Sequence, residues 1–240
     1  MTDIPKSHPR YLSLKMRELL VEGVKSGITS KAGLIAHGRG EMFDYLIGEE
    51  TIEPAKIAER KAVAELLEAK NPVISINGNV AALVPEDIVK LGKRFDAKLE
   101  VNLFHRTDER IIKISDELES NGAEEVYGLE PDAKIPGLDH KRALCSEEGI
   151  YTADVVLVPL EDGDRTQALK KMGKTVITID LNPLSRTSKA ADVTIVDNIA
   201  RAVPNMTEFD PLHQDFDNKE NLSKTLRYMS NRLKELGEEI

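Results

Sequence analysis

Three arginines follow apolar runs at the positions where a parallel α/β sheet binds ligands. Arg106 follows the alternating run Leu99–Phe104, Arg165 follows Val155–Val158, and Arg186 follows Val176–Ile179. Capping does not call for arginine, whereas guanidinium forks suit phosphate and carboxylate oxygens. Beside them stand Asn77-Gly78-Asn79, His105, Glu161 and the stretch from Asp180 to Thr187. The same residue types end strands and cap helices, so each loop alone also reads as an ordinary turn. Asp180 ends a strand, where a carboxylate can accept hydrogen bonds from ribose hydroxyls. A turn cap is the alternative.

Arg39 lies in His37-Gly38-Arg39-Gly40, where glycines would let backbone N–H groups approach a phosphate. This is no dinucleotide fingerprint, because the third glycine would fall at Phe43 and no strand precedes it. Gly173-Lys174-Thr175 is no P-loop, because Ala168 stands where the first glycine belongs and the tripeptide leads from helix into strand. His8, His37, His105, His140 and His213 show no metal-ligand spacing, and there is no C-x-x-C, so no metal-ligand residues are assigned. His105, beside Arg106, is the first histidine candidate for a ligand contact, and His37 is the second. The single cysteine, Cys145, reads as a packing residue on a helix spanning 139–148.

These residues need a scaffold, and the apolar periodicity supplies one. Helices are expected over 11–26, 41–47, 54–69, 86–95, 108–120, 165–172 and 219–236, with a glycine-rich loop over 29–40. Asp108 is expected to cap the helix over 108–120. Strands are expected at 73–76, 99–104, 126–127, 155–158, 176–179 and 193–196. Alternating strands and helices imply an α/β fold: a Rossmann-like parallel sheet of about six strands with helices on both faces and a helical N-terminal segment. The expected organisation is one domain, 1–240, in which helical residues 1–70 pack on a core over 71–205 and helix 219–236 closes the chain.

The 240 residues carry a net charge of −9, which argues against a nucleic-acid partner but not against a small anion held in a local basic cleft. With one cysteine no intrachain disulfide can form. No apolar run reaches the roughly 18 residues of a membrane span, and Met1-Thr2-Asp3-Ile4-Pro5 lacks a signal pattern. A cytoplasmic protein is expected.

Three stretches resemble archaeal phosphopantothenate synthetase, also called 4-phosphopantoate–β-alanine ligase. They are Ile4-Pro5-Lys6-Ser7-His8-Pro9-Arg10-Tyr11, Gly33-Leu34-Ile35-Ala36-His37-Gly38-Arg39-Gly40-Glu41, and Ile179-Asp180-Leu181-Asn182-Pro183-Leu184-Ser185-Arg186-Thr187. The resemblance implies a homodimeric, Rossmann-like enzyme of coenzyme A biosynthesis. It would join 4-phosphopantoate to β-alanine with ATP, releasing AMP and diphosphate. It also implies ATP contacts at Arg17, Arg39, Asp180, Leu181, Asn182, Arg186, Thr187, Asn198 and Ile199.

A carboxylate acylates poorly, and attack on the α-phosphorus of ATP converts it to an acyl-adenylate with AMP as a good leaving group. Two anions must then meet, so cations are needed, and Arg17 and Arg39 with Mg²⁺ suit that task. A solvated helix face is the ordinary reading of Arg17. The phosphorylated substrate is assigned by sheet geometry to Asn77, Gly78, Asn79, His105 and Arg106, with Arg165 nearby and Glu161 for the β-alanine ammonium. The alternatives are another ATP-using enzyme such as a kinase acting on a small phosphorylated acid, or a non-catalytic nucleotide-binding regulator.

Overall fold

The computed structural model describes residues 4–139 and 141–239. His140, and with it a portion of the helix expected over 139–148, lies outside them. Three helices come first: α1 (Tyr11–Ser26), α2 (Lys31–Ile47) and α3 (Glu53–Glu68). The expected loop over 29–40 is therefore corrected to helix. Ser30 caps α2 by accepting from the Gly33 N–H. Its glycines serve close packing: a Cβ on Gly33 would stand 2.6 Å from Thr29 Oγ1 and nearer still to Asn79 Oδ1.

The sheet strands are β1 (Pro72–Ile76), β2 (Lys98–Val101), β3 (Val126–Tyr127), β4 (Val155–Leu157), β5 (Thr175–Ile179) and β6 (Val193–Ile195). All pair in parallel, in the order β3-β2-β1-β4-β5-β6. The order reverses between β1 and β4, the topological switch point where such sheets bind ligands. Alternate residues feed two cores. Ile74, Ile76, Leu157 and Ile177 join the larger one, and Val73, Val156, Val158 and Val176 the smaller.

The remaining helices are α4 (Gly78–Leu83), α5 (Pro85–Phe95), α6 (Asp108–Ser120), α7 (Gly163–Lys171), α8 (Arg186–Ala190), α9 (Ile199–Glu208) and α10 (Asn218–Glu239). The sequence reading assigns no helix at α4, α8 or α9. Thr107, not Asp108, caps α6 by accepting from the Arg110 N–H. The larger core is filled from α3, α5, α6 and α9, the smaller by Ala168 and Leu169 of α7 and by the excursion over 133–153.

That excursion replaces the helix expected over 139–148. Residues 133–134 and 144–145 form an antiparallel ribbon, with Cys145 buried on a strand. A wide turn, Glu147–Tyr151, follows. The buried Glu100 carboxylate organises it by accepting from the N–H groups of Ser146 and Ile150. β2 also ends at Val101 rather than at Phe104, because Asn102 turns its amide onto the carbonyls of Arg142 and Leu144. Among the described residues no helix is long and apolar enough to cross a membrane.

Candidate active site

Where α2 faces the carboxyl ends of β4 and β5, a cleft of about 680 Å³ opens. One wall is α2, through Ala36, His37, Arg39, Gly40 and Phe43. The opposite wall is the loop after β4 (Leu160–Gly163) and the loop after β5 (Asp180–Asn182 and Ser185–Thr187), with Asn79 of α4 between them.

The walls are held by polar side chains at the switch point. Asn77 caps α4 by accepting from the N–H groups of Asn79 and Val80. Its own amide donates to the carbonyls of Pro159 and Leu160, which joins the end of β1 to the end of β4. Asn79 donates to the Gly33 carbonyl at 3.0 Å and accepts from the Thr29 hydroxyl, which seats α2 on α4. The two loops are also locked together. The Thr187 hydroxyl donates to the Glu161 carbonyl at 2.7 Å, and Gly163 leaves no room for a Cβ against Arg186.

Asp180 organises its own turn. Its carboxylate accepts from the Asn182 N–H at 2.9 Å and from the Ser185 hydroxyl. Burial raises its pKa, opposed by these hydrogen bonds. Ser185 in turn caps α8. Asp180 is thus a turn cap and a cleft residue at once.

Of the residues expected to contact ATP, Arg39, Asp180, Leu181, Asn182, Arg186 and Thr187 meet in this cleft, together with Asn79 and Glu161 from the substrate set. Arg39 and Arg186 are exposed there. The other expected residues lie elsewhere. Arg17 of α1 is paired with Glu41 of α2 at 2.8 Å. Burial pushes Glu41 up, but hydrogen bonds from Ser13 and Arg17 prevail and hold its pKa below the ordinary value. Asn198 is buried, caps α9 and donates to Asp44 at 2.8 Å, and Ile199 is packed in the larger core.

The substrate set divides. Gly78 is buried, does not line the cleft, and packs where a Cβ would meet the Ile28 carbonyl of the turn that follows α1. Arg165 is fully buried beneath the cleft, on Glu161 and Ser75. His105 is exposed, and Arg106 donates to the carbonyls of Gly128 and Leu129 beside β3. Arg106 lines a separate cavity of about 540 Å³ with Lys141 and Leu129.

Two features escape sequence reading. The first is the setting of His37, named as a secondary candidate, whose ring lines the cleft while its Nε2 is buried without a hydrogen-bond partner. Burial lowers its pKa below the ordinary imidazole value; Glu41 opposes that shift and Arg17 reinforces it. The second is a buried charge network behind α2. Arg201 of α9 pairs with Asp44 and Asp197, each at 2.5 Å. Asp197 also accepts from Thr51 at 2.6 Å, and Glu59 accepts from Asn205. Burial and the neighbouring Asp197 push Glu59 up to about 9. Only a strand-end Asp197 is visible in the sequence, because the rest of the network stands on α2, the connection after it, α3 and α9.

A doubly wound α/β sheet with a cleft beyond its strand ends, lined by two arginines and three carboxylates, defines the class of α/β proteins that bind a ligand at the topological switch point. Comparison with known proteins narrows that class. Residues 54–238 match the family model of phosphopantothenate/pantothenate synthetase. The chain is 56% identical to the 4-phosphopantoate–β-alanine ligase of Thermococcus kodakarensis, covering all of this chain (100%) and 97% of that one. It is 55% identical to the ligase of the same name from Thermococcus onnurineus (99% and 96% covered) and 57% identical to that from Methanosarcina mazei (100% and 99%). The chain belongs to the phosphopantothenate/pantothenate synthetase family.

Proposed function

We infer that the chain is a ligase that joins 4-phosphopantoate to β-alanine at the expense of a nucleotide, in coenzyme A biosynthesis. The observation that carries this reading is the convergence of Arg39, Asp180, Asn182, Arg186 and Thr187 on one cleft in a chain similar to such ligases over nearly all of their length. The nucleotide is ATP. The substrate carboxylate attacks its α-phosphorus, an O–P bond forms, and diphosphate leaves. The β-alanine amine then forms the amide bond as the acyl C–O bond breaks and AMP departs. Arg39 and Arg186 are the cleft cations suited to offset the charge that gathers in the first step. Mg²⁺ is expected to arrive on the nucleotide phosphates, which offer the hard oxygen ligands it prefers.

One domain, with the N-terminal helices packed on the sheet, belongs to this reading, and α2 supplies a cleft wall. A homodimer belongs to the same reading. Ile35 and Met42 of α2, seven residues apart on one side of the helix, are exposed large apolar residues. Such exposed apolar residues are what an isologous interface would cover.

The test is incubation with ATP, 4-phosphopantoate and β-alanine, followed by mass analysis. Expected are 4′-phosphopantothenate and one AMP per product, with pantoate a poor substitute. ADP would indicate a kinase, nucleotide binding without turnover a regulator, and equal use of pantoate a pantothenate synthetase.

A further inference from the structure

We propose that His37 is the general base of the amide-forming step, accepting a proton from the β-alanine ammonium. The assignment rests on the acyl-adenylate reading above and deepens it. An ammonium has no lone pair, so the amine must lose one proton before it can attack. Among the ionisable residues lining the cleft are Arg39 and Arg186, which cannot accept protons at neutral pH. Three others are carboxylates already engaged. Glu161 pairs with the buried Arg165, Asp162 with Arg142 at 2.5 Å, and Asp180 holds Ser185 and the Asn182 N–H. His37 remains, on α2 two residues before Arg39.

Its surroundings suit the task. Nε2 is buried and has no hydrogen-bond partner, so Nδ1, on a ring that lines the cleft, is the nitrogen that accepts the substrate proton. The charged groups around the ring are Glu41 and Asp44 of α2 and Arg17 of α1. Burial outweighs the two carboxylates, so the imidazole is neutral and able to accept at neutral pH. One ammonium proton passes to the imidazole and the nitrogen lone pair attacks the acyl carbon. The C–N bond forms and the second nitrogen proton goes to water. The acyl C–O bond then breaks with its electron pair on AMP.

Three measurements on wild type and His37→Gln test this. The first is ATP–diphosphate exchange with 4-phosphopantoate and no amine, which reports folding and adenylation. The second is turnover with β-alanine across pH. The third is hydroxamate formation with hydroxylamine, a nucleophile uncharged at neutral pH that needs no base. The variant is expected to keep exchange and hydroxamate formation within about threefold of wild type. Turnover with β-alanine is expected to fall by about 10²–10⁴-fold at neutral pH, and the acidic limb of the pH profile should move up toward the pKa of the free amine. Near-wild-type turnover with β-alanine, an unchanged acidic limb, or equal loss with both nucleophiles would overturn the assignment. Absence of exchange in the wild type would instead count against the adenylate reading.

Discussion

Replacing Glu59 by Gln should leave the protein about as stable as wild type near pH 5 and make it progressively more stable as pH rises. The carboxyl of Glu59 is fully buried, close to Asp197, with Asn205 donating to both of its oxygens. Asp197 has Arg201 and Thr51 as partners, so Asp197 carries the charge and Glu59 keeps the proton. Burial raises Glu59 from 4.5 to about 9. Below the lower value both folded and unfolded chains bind the proton. Between the two values only the folded chain does, so this group's contribution to stability is lost as pH rises, by about 1.4 kcal/mol per pH unit. By about pH 8 the penalty is on the order of several kcal/mol. A glutamine can donate to Asp197 and accept from Asn205 without having to hold a proton. Urea unfolding of both proteins at several pH values, at one protein concentration, reads the difference directly. A Glu59→Gln variant destabilised equally at every pH would mean that Glu59 is ionised in the folded protein, and the reasoning would fail.

Further outcomes concern the cleft and the assembly. Arg39→Ala should cost roughly 2–4 kcal/mol of transition-state stabilisation, read from kcat/KM for ATP. Asp180→Asn should chiefly raise KM for ATP, because ribose contacts do not change during the chemistry; unchanged kinetics in both variants would put the nucleotide elsewhere. Gly33→Ala should lower stability, since about 1–3 kcal/mol of overpacking against Thr29 and Asn79 exceeds the roughly 0.5–1 kcal/mol that alanine adds to a helix; a higher Tm would contradict the packing argument. Light scattering should report twice the 26.6 kDa chain mass, and a particle of 26.6 kDa at micromolar concentration would exclude the dimer.

The sheet was legible because its strands announce themselves. Val155, Val156 and Leu157 are buried on both faces, and such runs have few other readings. Helix α2 was not, because its glycines serve contacts distant in sequence. Gly33 lies against Asn79, and Gly40 faces Leu181. Both partners are invisible from the local pattern, which shows only small residues without periodicity. The ribbon over 133–145 escaped for a similar reason. Its following turn is built on Glu100, 46 and 50 residues before the N–H groups of Ser146 and Ile150 that it accepts from.

The arginines show how far local chemistry carries a site. Arg106, Arg165 and Arg186 were equivalent as residues at strand ends, yet only Arg186 reaches the cleft. Burial separates them. Arg165 lies beneath β1 and β4, where Glu161 and Ser75 use it, and Arg106 satisfies two carbonyls that follow β3. A buried guanidinium such as Arg165 needs an anion, and a carbonyl without a partner needs a donor, so neither arginine is spared for a ligand. The strand-end arginines of a parallel sheet therefore divide between holding the loops and holding the substrate. The division follows from which loops must pack against each other. In this chain the loops after β4 and β5 close on Gly163 and Thr187, with Arg165 beneath them and Arg186 left facing α2 across the cleft.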